Sequence, residues 1–327
     1  MMTQKTLSWR RLAVVGCAIF CIAGAGSCGK KGAEKKPVAK PAEFTVIFSS
    51  DLLGRIRSCG CADGDRGGLG RWATFTERVK ANADNLLVVD AGDALGADLS
   101  FTEKEAELAF EAMNVVGLGA FTVGETDFVF GLPFLQRLAN RATFAIVSAN
   151  IVDPTTGEPV FGAPYIVKTL TGGLRVAVTG ILDDAIRFPA YIDTSKFRVL
   201  PAFETLRRLV PEMKAHADFL IVLSHMGMER SAELAREIPD FDLVVVGHGK
   251  PIIKKLEKQG SSLMLATGGS GQYIGQIDLS LSETGVITEG RMKLLMLDDS
   301  IPRSQRVVDL FTQYEIPLTD KERDKKK

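Results

Sequence analysis

Val88–Leu95 reads Val-Val-Asp-Ala-Gly-Asp-Ala-Leu. The apolar run Leu86–Val89 that feeds it has the length and branching of a buried strand. Two carboxylates follow, Asp90 and Asp93, with Gly92 between them. Glycine lets the backbone bend sharply straight after the strand. Asp93 is thereby aimed past the strand's carboxyl end, where open α/β sheets place their ligands. A hard divalent cation takes such an oxygen as ligand. Standing alone, the octapeptide reads equally well as an Asp–Gly turn with two solvated carboxylates. The punctuation of four other strand ends weighs on the first side.

Phe44–Ser49 is an aromatic and β-branched run that ends at Asp51. Phe121–Val123 leads into Gly124-Glu125-Thr126-Asp127. Phe219–Leu223 ends at Ser224-His225-Met226-Gly227, and Leu243–Val246 at Gly247-His248-Gly249-Lys250. Phe144–Ala149, Tyr165–Leu170 and Arg175–Ile181 read as further strands. Trp72–Ala81, Glu103–Val116, Pro133–Ala139, Phe203–Ala215 and Ser231–Glu237 read as helices, the last with Ser231 as its N-cap. In Glu103–Val116, Ala106, Phe110 and Met113 share one face. Gly268–Gly271 reads as a tight turn, and Gln276–Leu281 with Val286–Leu297 as an antiparallel hairpin. A helix follows from Ile301, then a frayed charged tail, Asp320–Lys327. Strands alternate with helices to about residue 250 and antiparallel strands follow. That order predicts an α/β fold with a mixed sheet or two packed sheets.

The 327 residues are 46% hydrophobic and 24% charged, an ordinary globular balance. Forty basic and forty acidic residues cancel. No charge excess points to nucleic acid or an anionic membrane as a bulk partner. Lys5, Arg10 and Arg11 precede the apolar stretch Leu12–Ala25, which is short for a membrane span. Gly24-Ala25-Gly26-Ser27-Cys28 then resembles a bacterial lipoprotein signal, in which Cys28 becomes the lipidated first residue. A plain secretory signal is the alternative. The Lys-, Pro- and Ala-rich stretch Lys30–Pro41 buries little apolar surface and reads as a tether. The expected division is a signal peptide over 1–27, a flexible tether over 28–42, a folded domain over 43–300, and a helix with charged tail over 301–327. The expected location is outside the inner membrane, anchored by lipid on the periplasmic or cell-surface side.

Only three histidines occur, so each is informative. His216 sits late in a helix beside Lys214 and reads as a helix-end cation. His225 and His248 sit at matching strand ends. Either alone reads as a core histidine. Together with Asp51, Asp93 and Glu125 they put two imidazoles and three carboxylates at strand ends, a donor set for a divalent transition metal.

The ordered motifs Asp51-Leu52-Leu53-Gly54, Gly92-Asp93, Gly124-Glu125-Thr126-Asp127, Ser224-His225-Met226-Gly227 and Gly247-His248-Gly249-Lys250 resemble those of the calcineurin-like metallophosphoesterase superfamily. Within it they look like the catalytic domain of 5′-nucleotidases and UDP-sugar hydrolases, over about residues 44–298. The resemblance implies a four-layer αββα sandwich of two mixed sheets. It also implies two bridged metal ions and attack of metal-activated water on phosphorus. This chain departs from the pattern at Leu53 and Lys250, where ligands belong. Thr126 replaces the histidine that stabilises the transition state, and Glu125 replaces an asparagine. One metal position keeps Asp93, Glu125, His225 and His248. The other keeps Asp51 and shares Asp93. The expectation is therefore one divalent ion (zinc, manganese, iron or similar), with Asp93, His225 and Lys250 in catalytic roles. Lys250 would bring its ammonium to the vacated second position. The expected substrate is a small, nucleotide-like phosphate ester. Full-length nucleotidases carry a further domain that stacks the base, so the expectation does not extend to base selectivity.

Cys59-Gly60-Cys61, followed by Gly67-Gly68-Leu69-Gly70-Arg71, resembles a subgroup of exported nucleotidase-like proteins, some fused to multihaem cytochromes. Two thiols one residue apart bind a soft metal such as Cu(I), or cycle between redox states. A disulfide or inert thiols in an exported loop is the plain alternative. The second functional expectation follows: a non-catalytic metal or redox module with Cys59 and Cys61 as working groups, partnering an electron-transfer system.

Overall fold

The computed structural model describes residues 42–62, 64–96, 100–282 and 285–325. The expected signal peptide, Cys28 and residues 28–41 of the expected tether lie outside the described residues; Ala42 already opens a strand. In chain order the strands are β1 Ala42–Ser49, β2 Leu86–Asp90, β3 Ala120–Phe121, β4 Ala145–Ile146, β5 Ile151–Val152, β6 Tyr165–Thr169, β7 Arg175–Leu182, β8 Arg198–Val199, β9 Phe219–His225, β10 Leu243–Val246, β11 Glu257–Gln259, β12 Ser262–Leu265, β13 Tyr273–Leu281 and β14 Ile287–Met296. The α-helices are α1 Leu69–Lys80, α2 Glu103–Val116, α3 Leu132–Arg141, α4 Ala202–His216, α5 Gly227–Glu237, α6 Gln305–Gln313 and α7 Asp320–Asp324.

Two six-stranded sheets form, in the orders β14-β13-β1-β2-β3-β4 and β11-β12-β10-β9-β7-β6. Both are mixed. β1 to β4 run parallel, with β13 antiparallel to β1. β7, β9, β10 and β12 run parallel, with β6 and β11 antiparallel at the edges.

The layering follows from period-two burial on strands that are apolar on both sides. In β9, Phe219, Ile221 and Leu223 face the first sheet, meeting Phe44, Val46, Phe48, Leu87 and Val89. Leu220 and Val222 face the other way, onto Leu206, Val210 and Met213 of α4 and Leu234 of α5. In β10, Leu243 and Val245 point inward, Val244 and Val246 outward. The far face of the first sheet packs Ile47, Val88 and Phe121 against α1, α2, α3 and α6. The result is the four-layer αββα sandwich. No helix among the described residues is long and apolar enough to cross a membrane.

Three expected elements differ. The helix placed at Ser231 begins at Gly227, and Ser231 is buried inside it with its hydroxyl 2.8 Å from that of Ser224. β9 runs through His225 and turns straight into α5, so no loop remains for a serine cap. The 144–149 strand keeps only Ala145–Ile146 in ladder pairing, because its partner β3 is two residues long. The tail is ordered at Asp320–Asp324: Thr319 and Glu322 form a capping box, and the Asp320 N–H donates to the Ser58 carbonyl at 3.0 Å.

Candidate metal centre

Each parallel strand that points at the seam between the sheets ends in a bend carrying a polar side chain. Asp93 follows β2, Glu125 follows β3, His225 closes β9 and His248 follows β10. Several bends need the left-handed backbone region: Gly92 has φ 94°, Asp93 58° and His248 71°. For non-glycine residues such angles are uncommon and gather at functional sites. One donor atom from each of Asp93, Glu125, His225 and His248 lies within 4.8 Å of every other.

His225 is fully buried, and its ring is oriented from behind. Nδ1 lies 2.7 Å from the Ala91 carbonyl oxygen. A carbonyl only accepts, so Nδ1 carries the proton and donates it. Nε2 then faces Glu125 Oε2 at 3.1 Å and Asp93 Oδ2 at 3.5 Å. A bare imidazole lone pair facing two carboxylate oxygens is repelled, so without an ion the contact is made by a proton on Nε2, and a metal cation among these groups would take that proton's place. The other Glu125 oxygen lies 3.2 Å from His248 Nδ1, so Glu125 spans both imidazoles. The charges answer one another. Burial opposes ionisation of Glu125, but its contacts to His225 and His248 hold it far below the usual carboxylate range. Burial likewise opposes charging of His225, yet Asp93 and Glu125 push its pKa well up. The contact to Glu125 raises His248 against partial burial.

The donor set fits a divalent transition ion. Tetrahedral ligands on bonds of ~2.0–2.1 Å stand about 3.3 Å apart. Three contacts lie near that spacing: His225 Nε2 to Glu125 Oε2 at 3.1 Å and to Asp93 Oδ2 at 3.5 Å, and His248 Nδ1 to the other Glu125 oxygen at 3.2 Å, within a set of four donors that spans up to 4.8 Å. The Ala91 carbonyl supplies the outer hydrogen bond that fixes a ligating histidine's tautomer.

Three glycines make room for the His225 ring. A Cβ on Gly92 would stand 2.8 Å from His225 Nδ1, and one on Gly247 2.9 Å from the same atom. One on Gly124 would stand 2.6 Å from Nε2 and overlap Asp93 Oδ1.

Of the remaining predicted residues, Asp51 borders the cluster, and the others lie farther off. Asp51 is buried, but its carboxyl is outside the four-donor cluster. Oδ1 accepts the His248 backbone N–H at 3.1 Å, and Lys250 also donates a backbone N–H to this carboxyl. Asp51 therefore braces the His248 turn. Burial raises its pKa. Lys250 is exposed, and its aliphatic stem lies against Gly269. Among the described residues its ammonium makes no ion pair with Asp51 or Asp93. Thr126 commits its hydroxyl to the Leu95 carbonyl at 2.8 Å and its N–H to Asp93 Oδ1 at 2.9 Å. Cys59 and Cys61 are joined in a disulfide. The soft-metal expectation is corrected accordingly, since a disulfide offers no thiolate. Their loop contacts the C-terminal segment at Thr319 and Lys321. His216 ends α4, with Nδ1 2.9 Å from the Tyr165 hydroxyl.

Two buried carboxylates are named in the sequence reading without a role. Asp127 accepts the backbone N–H groups of Asp93, Leu95 and Gly124 at 3.0, 2.9 and 2.8 Å. It ties the Asp93 loop to the Glu125 loop. Burial and the nearby Asp93 charge push its pKa well up. Its signal was present as a carboxylate three residues after Gly124, the spacing of a capping box.

Asp90 accepts from the Ser49 hydroxyl and from the Gly92 N–H, the latter at 2.9 Å, and so shapes the bend before Asp93. Full burial pushes its pKa from 3.8 up to about 6. The folded state then holds a proton more tightly than the unfolded chain does. Stability is fully present below about pH 4 and is lost as pH rises through about 6, by about 1–3 kcal/mol. Asn at this position can accept from Gly92 and donate to Ser49. Asp90→Asn is therefore expected to flatten the pH 4–6 slope in urea unfolding and to raise stability at pH 7. An unchanged slope would remove Asp90 as its source.

No protein-family model matches the chain. The chain is 24% identical to the 5′-nucleotidase of Bos taurus over 321 residues, covering 88% of this chain and 55% of that one. Among solved structures, the 5′-nucleotidase precursor of Thermus thermophilus superposes with a TM-score of 0.71 at 21% identity, covering 84% of this chain and 58% of that one. The calcineurin-like phosphoesterase YfkN of Bacillus subtilis superposes with a TM-score of 0.69 at 21% identity, covering 84% and 97%. The chain spans about half the length of the curated relatives it matches.

Proposed function

We propose, for a chain that belongs to the calcineurin-like metallophosphoesterase superfamily and carries its 5′-nucleotidase type of domain, a metal-dependent hydrolase of small, nucleotide-like phosphate esters working with one divalent ion. The observation that carries this reading is the four-donor cluster of Asp93, Glu125, His225 and His248 at the converging strand ends. A second ion would find fewer donors: Leu53 offers none and Lys250 is exposed, which leaves Asp51, whose Oδ1 accepts the His248 N–H while Oδ2 is buried without a partner among the described residues. An ion at the cluster supplies Lewis acidity toward a phosphoryl oxygen and lowers the pKa of a water it binds.

The chain's own residues set the rest. His225 is sealed behind the glycines, whereas the His248 side chain is 38% exposed, so substrate approaches from the His248 side. Asp127 keeps Asp93 and Glu125 in register through backbone donors of both loops. Thr126 stands where a proton donor belongs, and its hydroxyl is already spent on Leu95. Loss of a general acid costs ~10²–10⁴-fold. Esters with good leaving groups are therefore the better substrates, aryl phosphates ahead of nucleoside monophosphates.

Chelated protein is expected to take up one equivalent of zinc, manganese or iron and to regain aryl phosphate hydrolysis on loading. Two equivalents at saturation would sink the single-ion reading. Hydrolysis indifferent to metal would sink the hydrolase. Export and a lipid on Cys28, with residues 28–42 as spacer to the membrane, belong to the same proposal. Their support is the order of basic, apolar and small residues before Cys28. The second expectation, a non-catalytic module beside an electron-transfer system, gains no support from the relatives.

A further inference from the structure

We propose that Cys59 and Cys61 form a thiol–disulfide exchange site, a reversible two-electron centre whose partner is a protein dithiol, with Cys61 as the sulfur an incoming thiolate attacks. The site lies outside the metal cluster and uses none of its residues.

The first ground is what this disulfide does not hold. A cross-link restricts the unfolded chain by the loop it closes, and that effect is smaller the shorter the loop. Cys59 and Cys61 enclose a single residue. The surrounding backbone is pinned by other groups. The Cys59 N–H donates to the Arg66 carbonyl at 2.9 Å, and the Gly60 N–H to Asp65 Oδ1 at 2.7 Å. Asp65 is in turn paired with Arg71, at 2.9 Å, and with Arg303. Arg71, from the Gly-Gly-Leu-Gly-Arg run, also reaches Asp299 at 2.6 Å and the Asp298 carbonyl at 2.8 Å. Gly60 lies so close to Lys321 and Thr319 that a Cβ there would stand 2.9 Å from Lys321 Cβ. The loop keeps its shape without the S–S bond, so the two sulfurs stay positioned to close again.

The second ground is asymmetry. Cys61 is exposed and Cys59 is half-buried. The Cys61 backbone N–H points at Cys59 Sγ, 3.2 Å away. A donor stabilises a thiolate, and a better-stabilised thiolate leaves faster. Attack on Cys61 thus expels the sulfur that is already provided for. The third ground is isolation. The other cysteines are Cys17, Cys21 and Cys28, all in the first thirty residues, so no third thiol occurs among the described residues to resolve an exchange.

The step balances. A thiolate of the donor attacks Cys61 Sγ, the Cys59–Cys61 bond breaks, and its electron pair stays on Cys59 Sγ. The donor's second thiolate attacks its own sulfur in the mixed disulfide and releases Cys61 as thiolate. The donor leaves oxidised, and its two thiol protons end on Cys59 and Cys61. In reverse, Cys61 attacks a partner disulfide and Cys59 resolves the mixed species.

The test uses the full chain, folded, in graded mixtures of reduced and oxidised dithiothreitol, followed by acid quench and alkylation. Trypsin cuts after Arg57 and Arg66, so the peptide Ser58–Arg66 reports both sulfurs by mass. Both are expected to become labelled together in the native protein. Labelling only after denaturation would overturn the proposal. With oxidised glutathione, the exposed Cys61 of Cys59→Ser is expected to capture glutathione faster than the half-buried Cys59 of Cys61→Ser, because access to the disulfide outweighs the stabilised Cys59 thiolate. Equal rates would overturn the assignment of Cys61. If a serine variant fails to fold, the wild-type titration tests the exchange, and locating the mixed disulfide first trapped with glutathione within Ser58–Arg66 tests the assignment: a mixed disulfide on Cys59 would overturn it.

Discussion

Gly124→Ala is expected to abolish metal loading of the cluster, and metal-dependent hydrolysis with it. Gly124 has φ −100° and ψ 177°, extended backbone that alanine adopts freely. The harm comes only from contact. The added carbon would overlap Asp93 Oδ1 and stand 2.6 Å from His225 Nε2 and 2.7 Å from Cε1. Neither group can retreat, because Asp93 Oδ1 takes the Thr126 N–H and His225 is held by Ala91. Overpacking of this kind costs ~1–3 kcal/mol of stability. Metal affinity should fall at least about 10²-fold, beyond the 10–100-fold typical of outer-shell changes, because two ligands move at once. Gly117→Ala is the matched control. Gly117 caps α2 at φ 78° with nothing within 4 Å of a new Cβ. It should lose about 1 kcal/mol to backbone strain and keep its metal. Thermal melts with zinc competition titrations on both proteins separate the two causes. Wild-type affinity in Gly124→Ala would show that the four donors are not packed around this carbon.

What the sequence disclosed, and what it withheld, has the same physical root. β9 and β10 were legible because strands buried on both faces are unbroken apolar runs, and their ends are marked by the first polar residue. The candidate site was legible for the same reason, since His225 follows Ser224 and His248 follows Gly247 directly after those apolar runs. β3 and β4 were legible only as apolar runs: their ladders, β3 on β2 and β4 on β3, are two residues long, an extent that no local pattern announces. α5 was set four residues late because Ser231 has the chemistry of a cap. Its hydroxyl instead meets Ser224 across the turn. Lys250 shows the limit of reading roles from position: it stands where the resemblance places a metal group, yet its stem lies on Gly269. Asp51 spends Oδ1 on the His248 backbone and keeps Oδ2 buried without a partner among the described residues. Asp127 was overlooked because a carboxylate in a polar turn looks solvated until three backbone donors are seen around it.

His225→Ala should remove the metal response altogether. In the wild type, an ion at a hundred times its dissociation constant adds about 2.7 kcal/mol of stability. At about 2–4 °C per kcal/mol for a domain above 150 residues, that is a shift of roughly 5–10 °C in Tm. The variant loses the imidazole that both carboxylates face, at 3.1 and 3.5 Å. Asp93 and Glu125 are left without their buried partner, and the remaining donors come from one sheet plus the half-exposed His248. Its melting temperature should no longer move with zinc or manganese, and aryl phosphate turnover should fall at least about 10²-fold. His216→Ala, at the end of α4, changes neither quantity and corrects for the loss of a histidine as such. The two readouts divide the possible failures. If the metal shift disappears while turnover persists, the hydrolysis belongs to another site or to a contaminant. If the metal shift survives in His225→Ala, the ion binds elsewhere, and the convergence of strand ends from both sheets is a relic of the fold without present chemistry.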